Sequence, residues 1–77
     1  MKVIHEIQSP QLKAGQHIAL VSEETGKHEM SPWGVSIDPA PGCGVVLICK
    51  GVSDAMALFQ TFENGLRSGK ITGIQEG

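Results

Sequence analysis

Between Gly44 and Ile74 the chain runs from an apolar stretch (GVVLICK) through a well-delimited amphipathic segment, Asp54 to Ser68, into a second short apolar stretch (KITGI). This order constrains the fold more than any other feature, because it predicts a strand, a helix and a strand packed as one unit. Within the middle segment Ala55, Met56, Leu58, Phe59, Phe62 and Leu66 recur at i, i+3, i+4 and i+7, which places them on one face of a helix. Ala57, Gln60, Thr61 and Asn64 fall on the other. Ser53 stands where an N-cap is expected and Asp54 in the first turn, where a carboxylate complements the helix dipole. Arg67 in the last turn and Gly69 just beyond it supply the stop.

Upstream of this unit the periodicity is two rather than 3.6. Val3, His5 and Ile7 alternate with Lys2, Ile4 and Glu6, and His17 to Glu23 (HIALVSE) forms a second strand rich in branched residues. Gly26 marks a turn from Glu24 to Lys27. Trp33, Val35 and Ile37 alternate with Gly34 and Ser36 as a third strand. The run Asp38 to Gly44 (DPAPGCG) reads as loop, because two prolines withhold ladder donors. Val45 to Lys50 is then a fourth strand, apolar on both faces, and a strand of that kind wants burial on both. Lys70 to Ile74 is expected as a fifth, parallel to the fourth through a right-handed crossover.

The sum is an α+β domain: a small mixed, mainly antiparallel sheet of four to five strands with one amphipathic helix on one face, in the order β-β-β-β-α-β. With 77 residues the chain forms a single domain, and one of this size buries only about 60% of its unfolded surface. One helix roofs one side of a sheet. The other side is expected to carry Val46 and Ile48 with some of Ile4, Ile18 and Leu20, a larger apolar patch than a monomer usually exposes. A second copy of the chain or another protein is therefore predicted to cover it. Trp33 and Met30, in the HEMSPW segment, are further contact candidates, because large amphipathic side chains concentrate at interface centres. The predicted interface set is thus Trp33, Met30, Val46, Ile48, Ile18 and Leu20.

Charge excludes other classes of partner. The formal net charge is -2 and the six Lys and Arg residues are scattered, whereas a phosphate backbone needs a stripe of cations. Exposed aromatics on adjacent strands, which would stack bases, are also missing from the pattern. No nucleic-acid partner is expected. The N-terminus lacks the apolar core of a signal peptide, and no stretch approaches the ~20 apolar residues of a membrane span. The expectation is a cytoplasmic chain with no membrane partner.

Chemical motifs are weak throughout. His5, His17 and His28 could with Cys43 or Cys49 make a metal site, since imidazole and thiolate are common zinc ligands, but no pair has the close spacing of familiar zinc sequences. A small-molecule or metal-binding protein using His5, His17 and the Cys43 loop is the alternative to a contact protein. Cys43 and Cys49 lie six positions apart, or ~20 Å in an extended chain, far beyond the ~7 Å limit for a disulfide. They read as reduced thiols. PGCG followed by a helix start lacks the Lys and the spacing of a phosphate loop, and Asp54 puts a negative charge where the phosphate would sit. With no GxSxG elbow and no paired acid and base, the expectation is a protein without catalytic activity and without a cofactor that acts by protein contact.

Overall fold

A computed structural model of the chain describes residues 2–22 and 32–75, which form four strands and one helix: β1 Lys2–Glu6, β2 His17–Ser22, β3 Trp33–Ala40, β4 Cys43–Cys49 and α1 Val52–Ser68. The strands make an antiparallel meander in the spatial order β1-β2-β3-β4, so β2 and β3 are central and β1 and β4 are the edges. The turn at Glu24 to Lys27 and the residues His28 and Met30 lie outside the described residues.

Register fixes the faces. Ile18, Leu20, Val35, Ile7, Ala55, Phe59 and Leu66 form one buried cluster, with Trp33, Ile37, Cys49, Leu58 and Phe62 packed around it. On β2 these residues are Ile18 and Leu20, which pair with Ile37 and Val35 of β3. Residues one position away point through the opposite face. There Ala19 and Val21, only 4% and 3% exposed, are also buried. The expectation that Ile18 and Leu20 belong to a bare sheet face is therefore corrected: they face α1, at 3% and 6% exposure. The HIALVS strand is apolar at both parities, so its period of two could not say which set the helix takes.

Two further expectations are revised at the end of β3. Asp38 to Gly44 is not one long loop; β3 continues to Ala40, β4 begins at Cys43, and only Pro41 and Gly42 lie between them. Pro41 fixes the first turn position and Gly42, at φ 77°, adopts a left-handed conformation that a side chain would resist. Pro39 is tolerated because the β3–β4 register slips between Ile37 and Ala40 and the β2 pairing ends at Asp38, leaving its missing N–H unneeded.

The helix starts earlier than its capping signals indicate. Gly51, not Ser53, is the N-cap, it makes no side-chain cap hydrogen bond, and its carbonyl accepts the first helical bond from Ala55 N–H at 3.1 Å. The C-terminal stop falls as read, with Gly69 left-handed at φ 81° and Arg67 in the last turn. The predicted fifth strand is absent from the described sheet, which is wholly antiparallel. Residues 71–75 instead run without ladder pairing, and Ile71 and Ile74 rest on the core. Ile71 N–H donates to Gly65 O at 2.9 Å. Gln16, itself buried, donates from Nε2 to both Pro39 O and Ile74 O at 3.0 Å and accepts from Lys13 N–H at 2.9 Å. One amide thus fastens the β1–β2 loop, the end of β3 and the C-terminal segment, which is what a strand pairing would otherwise have done.

Candidate functional site

Exposed apolar side chains gather at the β4 edge. Val45, Leu47 and Ile48 are 58%, 42% and 61% exposed, and Val46 is half-buried. Val45 and Leu47 pair with Ile37 and Val35 and so lie on the α1 side, while Val46 and Ile48 pair with Ser36 and Gly34 and point the other way. The helix is centred over β2 and β3, which leaves the α1-side residues of β4 only partly roofed. An edge strand also presents the outward half of its backbone N–H and C=O groups unpaired. No residue from Cys43 to Cys49 is charged.

Gly34 lets β4 approach. A Cβ at this buried position would stand 2.4 Å from Leu47 O, inside any permitted contact. The strand pair therefore needs glycine there, and the sequence pattern alone, which shows Gly34 merely as the small member of an alternation, gave no sign of that closeness.

The opposite edge is built differently. β1 carries a register irregularity between Val3 and His5, and charged residues at both of its ends, Lys2 and Glu6. Beside it, between β1 and α1, lies an open groove of about 370 Å³ lined by Ile4, His5, Leu20, Met56, Phe59 and the polar Gln60 and Glu63. The His5 ring meets Phe59 edge-on, with centroids 5.5 Å apart and an interplanar angle of 75°. That contact is an aromatic packing arrangement.

The candidate ligand residues do not converge. His5 faces α1, whereas His17 lies on the other face of the sheet, with Nδ1 2.7 Å from Glu6 Oε1 in an exposed hydrogen bond. Cys43 is an exposed free thiol at the start of β4 and Cys49 a half-buried one at its end. Among the described residues no group of three His, Cys, Asp or Glu side chains stands close enough to hold a metal ion. His5 and His17 are not the cross-strand neighbours that a hairpin centred near Gln11 would make them: the register pairs Val3 with Val21, and the irregularity after Val3 sets His5 opposite Leu20 on the other face from His17.

Of the predicted contact residues, Ile48 and Val46 lie on β4 as exposed and half-buried side chains, and Trp33 is half-buried against the core beside Cys49. Val45 and Leu47 were not singled out by their pattern. A strand apolar on both faces signals burial on both, and only the strand order shows that β4 has one neighbour instead of two among the described residues. Among the described residues no helix is long and apolar enough to cross a membrane. No family model, no curated protein and no solved structure matches the chain.

Proposed function

We propose that the protein works by protein contact, as a homodimer or as an accessory or inhibitory subunit of a larger assembly, and that it has no catalytic role. The observation that carries this reading is the β4 edge: seven uncharged residues, three of them large apolar side chains more than 40% exposed, in a strand with a neighbour on one side only in the described sheet. Solvent-facing edges are usually blunted by charges, prolines or bulges, and within Cys43–Cys49 there are none of the first two. An edge left in this state pairs with another chain. This moves the contact surface from the sheet face, whose centre at Ala19 and Val21 is already buried, to its rim.

The test compares the wild type with Ile48→Lys, which places a charge on the edge at an exposed position. Light scattering at tens of micromolar and capture of partners on immobilised protein are read for both. The expected result is a mass above 8.2 kDa or a defined captured protein for the wild type, lost or reduced at least tenfold in the variant. A strictly monomeric wild type whose captures are unchanged by Ile48→Lys ends the contact reading.

A further inference from the structure

Resting on the contact reading, we infer that the occupant of the β4 edge is a second copy of this chain, bound antiparallel with a two-fold axis through Val46, so that two four-stranded sheets become one of eight strands.

Three observations select this arrangement. The first is the difference between the edges. A five-residue β1 with an irregularity in its middle cannot present a straight row of outward amides, whereas all of β4 from Cys43 to Cys49 is continuous in its own strand. Pairing β1 of one copy with β4 of the next would also be head-to-tail and would not close. Pairing β4 with itself is isologous and stops at two. The second is charge: an uncharged strand meets its own copy without the like-charge repulsion that opposes most self-pairings.

The third is register. Val46 is the middle residue of β4, so the alignment that pairs all seven residues sets Val46 opposite Val46, Val45 opposite Leu47 and Cys43 opposite Cys49 of the second copy. Each of these pairs joins residues of the same parity, so both keep their face. Val45 and Leu47, exposed on the α1 side of each protomer, become each other's cover. A shift by one residue would oppose α1-side residues to outer ones and lose this match. The axis stands perpendicular to the sheet, and the two helices lie on the same side of it.

The cysteines report the register. Within one chain Cys43 and Cys49 are at the two ends of an extended strand, ~20 Å apart, and cannot bridge. Across the two-fold axis they are directly opposed, at the ~4.5–5.5 Å Cα separation of antiparallel partners, which a disulfide spans. The experiment oxidises the reduced protein with copper–phenanthroline and air, each bridge forming as two thiols give up two protons and two electrons to oxygen. Wild type, Cys43→Ser, Cys49→Ser and an equimolar mixture of the two variants are compared on non-reducing gels, with native masses measured in parallel. The expected result is a covalent dimer in the wild type and in the mixture, and none in either variant alone. Should Cys49→Ser lose its fold, Cys49→Ala serves in its place. A doubled native mass with no bridge in the mixture, or with bridging in a single variant alone, overturns the β4 register and leaves the contact reading standing. A monomeric mass overturns the inference outright, and the captures made with wild type and Ile48→Lys then decide the contact reading separately.

Discussion

β2 and β4 are close to the same length and both mostly apolar, HIALVS against CGVVLIC, yet β2 buries every residue after His17 while β4 buries none completely. Composition does not separate them. Position does: β2 has a strand on each side and α1 over one face, whereas β4 has β3 on one side and nothing in the described sheet on the other. An apolar strand at the centre of a sheet is a core element, and the same strand at the rim keeps its side chains in solvent.

The sharpest way to break this contrast is to remove what holds the centre. Phe59 packs from α1 against the β2 and β3 core, is itself buried, and also carries the edge contact to His5. Phe59→Ala is expected to cost about 3–5 kcal/mol, enough to unfold much of a small domain, read as a fall in the urea midpoint. Gly34→Ala tests the seam between centre and rim. The added methyl meets Leu47 O, so β4 must move away from β3, at an expected cost of about 1–3 kcal/mol. Amide exchange quickening across β4 while β1 and β2 stay protected is the signature; uniform quickening along the sheet would mean that β4 is no weaker a unit than the rest. Ile48→Lys has the smallest expected effect on the protomer, within about 0.5 kcal/mol at a concentration low enough to keep the protein monomeric. If β4 were secretly part of the core, the loss in the urea midpoint would match that of a buried Leu or Ile.

Much of this architecture was legible from residue order. The helix face of Ala55, Phe59 and Leu66 and the Gly69 stop were readable because helical period and terminal chemistry are local. The alternation of Trp33, Val35 and Ile37 likewise set the α1-facing side of β3. What failed was non-local. Pro39 and Pro41 resemble loop residues until the register slip beside Ala40 shows that one escapes the ladder and the other makes the turn. KITGI has a strand's composition, but the Gln16 amide and the core claim its backbone and side chains first. Strand order, which decides whether Val45 and Leu47 are inside or outside, has no signature in a single strand. That is why the exposed apolar side chains were expected on a face and stand at an edge.

Gln16 ties together positions 58 residues apart in the chain. Surface connections generally accept added residues at little cost, since loop closure grows only slowly with length. The stretch from Gln11 to Gln16 is an exception to that tolerance: lengthening it would swing the amide off Pro39 and Ile74 together and release the chain's final described residues from the core. A tag or fluorophore loop placed there would loosen residues 71–75 rather than the site of insertion.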